Sequence, residues 1–154
     1  MLDLPERALE ILQSRSEWAT MRFEANLLTG EALRALGRFR EALRPLEQAA
    51  ALKPGDIAVA IALGWCYKRT HRLAQAIDAL ERASRENPED PLLHYNLACY
   101  WSLAANPAKA LDELAVALEL GPDLIALVPE ESDFNPLRGD PDFERLTAGR
   151  APSA

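Results

Sequence analysis

Cysteine, β-branched residues and aromatic residues are scarce in this chain of 154 residues. The two cysteines, Cys66 and Cys99, are too few for a disulfide framework and form no CxxC pair, which excludes the small disulfide-rich folds. Two free thiols instead favour a reducing compartment. Val, Ile and Thr are few beside Ala and Leu, and this balance favours helices because alanine and leucine lose little on entering one.

Clusters of basic residues and long apolar runs are also missing. The formal net charge is −7 and Lys and Arg are scattered, which argues against a nucleic-acid or anionic-membrane partner. No apolar run reaches the roughly 18 residues of a membrane span. The N-terminus "MLDLPERALEIL" has acidic residues and a proline, unlike a signal or transit peptide. We therefore expect a cytoplasmic protein, and the abundance of Ala and Arg hints at a bacterial genome.

Catalytic and metal-binding patterns are absent from the sequence. The two histidines, His71 and His94, make no ligand pair with a cysteine or a carboxylate at metal-binding spacing. No glycine-rich phosphate loop, nucleophile elbow or HExxH segment is present. The acidic stretch "PEESDFN" at 129–135 lacks a metal-loop pattern. The sequence thus predicts no enzyme activity, no cofactor and no metal.

A thirty-four-residue repeat runs through the middle of the chain. Pro54, Pro88 and Pro122 stand at this interval, and each follows a stretch whose apolar residues recur every three or four positions, as in an amphipathic helix. Small residues recur at the same interval, which favours the close approach of neighbouring helices. The repeated columns are Gly30, Gly64 and Ala98; Leu33, Tyr67 and Trp101; Ala42, Ala76 and Ala110; Leu46, Leu80 and Leu114; and Ala49, Ala83 and Ala117.

Each unit contains two helical stretches joined by a short turn. Asp90-Pro91 and Asn106-Pro107 are typical helix starts, in which an N-cap residue precedes a proline in the first turn. Pro45 interrupts the second stretch of the first unit, so we expect a kink or a delayed helix start there.

This unit resembles the tetratricopeptide repeat, a helical hairpin with the pattern L-G-x-x-Y, then A-x-x-x-L-x-x-A and a closing proline. The segment "LGWCY" at 63–67 matches best and "LACYW" at 97–101 nearly as well. The resemblance implies an all-α fold, a right-handed α-α superhelix of helical hairpins with capping helices at both ends. The expected repeats within this single domain are 23–56, 57–90 and 91–122.

The N-terminal end of such a stack needs a cover, because an end repeat would otherwise expose its apolar face. Residues 5–16 look like a second helix without its first, since Ala8 and Leu12 fall in the repeated columns. We therefore expect residues 1–22 to form a half-repeat packed on Phe23–Leu36. Its predicted start is a capping box made by Asp3 and Glu6.

The C-terminal end departs from the repeat. Residues 123–148 resemble the closing segment that follows many bacterial arrays of this family, and we expect them to cover the last repeat. Residues 149–154 are expected to form a frayed tail.

The resemblance also implies a function. In this family the first helices line a concave groove that usually holds a peptide or a helix of a protein partner. Trp65 is the expected central anchor, because it lies on a different helix face from Tyr67. Arg34, Lys68 and Arg69 are expected at one edge of an apolar centre, and Glu24 and Glu31 at the other. The full set of expected groove residues is Leu27, Glu31, Arg34, Ile61, Trp65, Lys68, Arg69, Tyr95, Asn96 and Cys99.

The predicted function is therefore a scaffold that binds a protein partner without chemistry of its own. The alternative is structural self-association as a homo-oligomer, through the groove or an exposed end face. The sequence leaves open whether the groove receives a partner or the chain's own tail.

Overall fold

A computed structural model describes residues 4–148, without the side chains of residues 4–6, 8–10, 12 and 13. Within that range every regular element is a helix and no strand is present, which confirms the predicted all-α class. The elements are α1 (Leu4–Ala35), α2 (Phe39–Leu52), α3 (Ile57–Arg69), α4 (Leu73–Glu86), α5 (Pro91–Leu103), α6 (Pro107–Leu120), the 3₁₀ helices η1 (Pro122–Glu130) and η2 (Ser132–Leu137), and α7 (Pro141–Ala148).

The helices pack as three successive hairpins, α1 with α2, α3 with α4 and α5 with α6. Neighbouring hairpins are joined where α2 contacts α3 and α4 contacts α5. The first helices also contact one another in order, α1 with α3 and α3 with α5. These three helices therefore form a continuous inner layer, and its free surface is the concave surface of the stack.

Side-chain caps start the first helices of the second and third hairpins. The Asp56 carboxylate accepts a hydrogen bond from the backbone N–H of Val59 at 3.0 Å. Asp90 accepts from the N–H groups of Leu92 and Leu93, both at 3.0 Å. These bonds satisfy donors that have no partner inside the helix, and the bonds to Asp90 confirm the predicted start at Asp90-Pro91.

The repeated small residues lie where helices approach one another most closely. A β-carbon built on Gly30 of α1 would lie 2.4 Å from Cγ of Leu46, a fully buried residue of α2. At Gly64 of α3 the nearest atom, in the ring of Tyr100, would be 3.1 Å away. A larger residue at position 30 would therefore clash with Leu46. At position 64 the packing is tight, but the contact with Tyr100 is less close.

Helix α2 continues through its interior proline. The helix spans Phe39–Leu52 with Pro45 inside it, so the expected delayed start does not occur. Proline has no N–H to offer the carbonyl of Glu41 one turn earlier, and α2 therefore lacks one internal hydrogen bond.

The predicted N-terminal half-repeat is wrong. Helix α1 runs unbroken for 32 residues from Leu4 to Ala35, about 48 Å at the usual rise per residue, so residues 5–16 do not fold back on Phe23–Leu36. No proline interrupts it after Pro5, and the hydroxyl of Thr20 donates within the helix to the carbonyl of Ser16. The predicted capping box at Asp3 and the side chains of Ala8 and Leu12 lie outside the described residues.

The C-terminal segment packs on the last hairpin: η1 and α7 contact α6, and η2 contacts α5. Its apolar side chains Val128, Phe134, Leu137 and Phe143 are buried. The expected tail at 149–154 lies outside the described residues. Within the described part of the chain, no helix combines the length and the apolar character that a membrane crossing requires.

Candidate functional site

The predicted groove residues lie on α1, α3 and α5, the three helices of the inner layer. Leu27 and Ile61 are half-buried against the core, and they belong to the first two hairpins. Ile61 lies one turn before Trp65 on α3, and Trp65 is exposed.

Trp65 is the most accessible large apolar side chain of α3, with 38% of its surface exposed. Its helix neighbours Gly64 and Cys66 are buried, and so are Leu63 and Tyr67. The ammonium group of Lys68 lies 4.7 Å from the centre of the indole ring. Trp65 is thus partly exposed beside a cation.

The predicted division into a basic edge and an acidic edge is wrong. The guanidinium group of Arg34 lies 2.7 Å from the carboxylate of Glu31, one turn away on the same helix. Arg69 stacks over the ring of Phe39, 5.0 Å from its centre. Lys68 pairs with Asp133 of η2 at 2.6 Å. The predicted basic side chains are thus already engaged within the chain.

The third part of the predicted groove is covered by η2. Phe134 inserts its ring against Tyr95 in an edge-to-face arrangement, with 5.6 Å between ring centres, and Phe134 in turn packs on Phe143. Tyr95 and Cys99 are therefore only 5% and 3% exposed. These two residues do not face a free groove, contrary to the prediction, because the C-terminal segment supplies their partners.

Asn96 lies half-buried at the margin of the covered region. Its side-chain amide donates to the carbonyl of Leu92 at 2.8 Å, one turn earlier in α5. The amide nitrogen thus already donates one hydrogen bond within its own helix, so it is not entirely free to bind a partner.

A small cluster of possible metal ligands lies where η2 contacts α5. The sulfur of Cys99 and carboxylate oxygens of Glu131 and Asp133 all lie within 4.8 Å of one another. Burial, with the two carboxylates nearby, raises the pKa of the Cys99 thiol, which favours the neutral form. The ammonium group of Lys68 already balances Asp133. The arrangement therefore suits a buried lysine better than a metal ion, which needs deprotonated ligands.

Comparison with known proteins agrees with this architecture. Residues 33–98 match the family model described as Tetratricopeptide repeat. Residues 33–98 therefore contain tetratricopeptide repeats. No curated protein is similar enough to the chain to match it.

Two solved structures share the tetratricopeptide repeat fold of this chain. One is the Yersinia enterocolitica type III secretion translocator chaperone SycD, in an alternative dimer, with 18% identity and a TM-score of 0.65 over 82% of this chain and 92% of that chain. The other is MamA MSR-1 C2, with 22% identity and a TM-score of 0.62 over 82% of this chain and 75% of that chain. Both likenesses concern the fold.

A groove on the opposite side of the repeats escaped the sequence analysis. It has a volume of about 680 Å³ and lies between α2 and α4, the second helices of the first two hairpins. Val59 and Leu63 of α3 form part of its apolar lining, and Glu47, Asp78 and Arg82 belong to its charged lining. The lining alanines Ala50, Ala51 and Ala79 lie outside the repeated columns, so the repeat pattern gave no signal for this groove.

Proposed function

We propose that this tetratricopeptide repeat protein is a non-catalytic interaction module. Its concave surface binds an extended or helical segment of a protein partner, with Trp65 as the anchor. The partner inserts an apolar side chain against Trp65, Ile61 and Leu27, where α1 and α3 leave the inner layer uncovered. Affinity comes from the burial of apolar surface on a scaffold that is ordered beforehand.

The exposure of Trp65 carries this proposal. A tryptophan on the inner layer, with buried residues on either side of it in the same helix, has no structural need to remain open to solvent. Aromatic side chains in concave surfaces are frequent anchors of binding. The fold likeness to a translocator chaperone supports a protein partner, since that relative is described as a chaperone of another protein.

The chain's own C-terminal segment supports a preference for an aromatic residue. Phe134 packs against Tyr95 on the third hairpin, and the preceding Asp133 pairs with Lys68 of α3. The same inner layer continues to Trp65 without such a cover. We propose that an aromatic or other apolar residue of the partner extends this arrangement onto the first two hairpins, where the basic side chains are already engaged within the chain.

The thiols fit a cytoplasmic location for this activity. Cys66 and Cys99 are both free and buried, as expected for a protein of a reducing compartment.

The test begins with peptides selected from a random library displayed on phage, using the wild-type protein as bait. Binding of the selected peptides is then measured by fluorescence anisotropy for the wild type and for Trp65→Ala. We expect the dissociation constant to rise at least tenfold, the equivalent of about 1.4 kcal/mol. Val116→Ala on α6, a second helix, is the matched control and leaves binding unchanged, since Val116 is equally exposed at 37%.

Two outcomes contradict the proposal. Peptides that bind Trp65→Ala as well as the wild type place the site elsewhere, and a loss of binding in Arg82→Ala points to the groove between α2 and α4. A library that yields no peptide argues against this binding mode altogether. The urea midpoint of each variant shows whether a loss of binding reflects a loss of folding.

A further inference from the structure

Helix α1 extends beyond the stack that it starts. Residues 14–22 are exposed on every face of the helix, and among the side chains of α1 that the structure describes, Phe23 is the first buried one. From Phe23 onward, the face with Leu27 and Gly30 packs on α2 and α3. A helix draws most of its stability from packing an apolar face, and residues 14–22 have nothing in the described chain to pack on.

An apolar stripe follows the exposed side of α1 from Ile11 to Ala35, with Ser14 as a polar interruption. Trp18, Met21 and Leu28 are 67%, 63% and 70% exposed. The stripe has steps of seven, three or four residues, which is the a/d pattern of a coiled coil. Its members are Ile11, Trp18, Met21, Ala25, Leu28, Ala32 and Ala35, all exposed.

The stripe and the core-facing side of α1 are on opposite faces of the helix. With Trp18 at position a, the core residues Phe23 and Gly30 fall at position f and Leu27 at position c, away from the a/d seam. The stripe is also the uncovered end of the repeat stack, because no half-repeat folds back over it. End repeats of such stacks need a cover for their apolar face.

The charges on either side of the stripe favour one orientation of a partner helix. Position g carries Glu17, Glu24 and Glu31, and position e carries Arg15, Arg22 and the uncharged Thr29. In a parallel pair of identical helices each g residue faces the e residue five positions later in the other copy. Glu17 of one copy then faces Arg22 of the second. In an antiparallel pair, g faces g and e faces e, which places glutamates against glutamates and arginines against arginines.

We infer that a second copy of this chain covers the stripe, and that the two α1 helices form a parallel, two-stranded coiled coil. The repeat stacks then lie on the outer sides of the coiled coil, since the core faces of α1 point away from the seam. The concave strip around Trp65 is separate from this seam. The inference therefore stands apart from the proposed peptide binding, and either one can fail alone.

The first measurement is the mass of the full chain in solution by light scattering after size-exclusion chromatography at micromolar concentration. We expect twice the monomer mass of 17.0 kDa. Met21→Glu places a charge at the centre of the seam and is expected to give a monomer with an unchanged helical circular dichroism signal for the repeats. Thr20→Glu is the matched control, because Thr20 is exposed at position c, away from the seam, and it stays dimeric.

The orientation is tested by a disulfide. Ser14 is exposed at position d, and in a parallel pair the two d residues face each other within reach of a disulfide. Ser14→Cys should therefore give a covalent dimer under mild oxidation, whereas Thr20→Cys should not. The native thiols of Cys66 and Cys99 are buried and give no background. A monomeric or larger wild type, a Met21→Glu variant that stays dimeric, or a dimer without the Ser14→Cys link would overturn the inference.

Discussion

The ammonium group of Lys68 lies 2.6 Å from a carboxylate oxygen of Asp133, although 65 positions separate the two residues in the chain. This ion pair joins α3 of the second hairpin to η2 of the C-terminal segment. It crosses the margin of the concave surface, next to the exposed ring of Trp65. The pair therefore marks the boundary between the covered and the open part of the inner layer.

Asp133→Asn should lower the free energy of unfolding by about 2–3 kcal/mol. The side chains of Lys68 and Asp133 are only 18% and 12% exposed, so the variant leaves a mostly buried ammonium without its counter-charge. Loss of one partner from a fully buried pair costs roughly 3–5 kcal/mol, and the residual exposure here reduces that cost. Urea denaturation measures the difference.

The control for this pair is Asp78→Asn. Asp78 pairs with Arg82 at 2.8 Å, but both side chains are more than half exposed, so the expected loss is below about 1 kcal/mol. Equal losses in the two variants would contradict the structural role given to Asp133.

Gly30→Ala should destabilise the protein more than Gly64→Ala. The added methyl group at position 30 would meet buried Leu46 at 2.4 Å, whereas at position 64 the ring of Tyr100 is 3.1 Å away. Overpacking costs about 1–3 kcal/mol, while alanine gains up to about 1 kcal/mol in helix propensity. We therefore expect a net loss at Gly30 and a change within about 1 kcal/mol at Gly64.

Thermal and urea unfolding of the two glycine variants test this expectation. A Gly30→Ala variant as stable as the wild type would show that α1 and α2 separate without cost. That result would contradict the close approach on which the first hairpin depends.

Pro45→Ala should stabilise the protein by about 1–3 kcal/mol. Alanine restores an N–H that can donate to the carbonyl of Glu41, and a proline inside a helix costs roughly 3 kcal/mol relative to alanine. The urea midpoint should rise. A fall would mean that the shape of α2 around Pro45 is needed for its packing against α1 and α3.

The stability of the protein should fall as the pH rises above about 9. Burial raises the pKa of the Cys66 thiol from 9.0 to about 11 in the folded state. The unfolded chain therefore loses its thiol proton first, and stabilisation that is complete below pH 9 is lost as the pH approaches about 11. The slope for one such thiol is at most about 1.4 kcal/mol per pH unit.

Urea midpoints at about pH 8 and about pH 10 measure this slope, and Cys66→Ala is the control variant. The wild type should lose more stability than Cys66→Ala over this interval, although Cys99 contributes a change of the same sign in both proteins. Parallel pH profiles of the two proteins would show that the Cys66 thiol does not contribute.

An element was predictable from the sequence where neighbouring residues specify it. The capping bonds of Asp90 and the close contact at Gly30 follow from residue types at fixed spacings, and the structure shows both. The continuity of α1 was missed because Ala8 and Leu12 fit the repeat columns, while the continuation of a helix depends on the absence of a breaker.

The same distinction applies to the residues of the candidate site. The exposure of Trp65 follows from its position relative to Tyr67 on one helix, and was predictable. The burial of Tyr95 and Cys99 depends on Phe134, which belongs to a segment without repeat periodicity and arrives from elsewhere in the chain. Such a contact has no sequence signal of its own.

The sequence by itself determined that this protein is a stack of helical hairpins, because helix periodicity, caps and small residues act over a few positions. Only the tertiary structure decided which surfaces remain open. The C-terminal segment closes the third part of the inner layer through Phe134 and Asp133, and α1 leaves its outer stripe uncovered. Both outcomes depend on which distant segments of the chain pack together. The burial of a side chain is set by its contacts with those segments, and a single stretch of sequence does not contain that information.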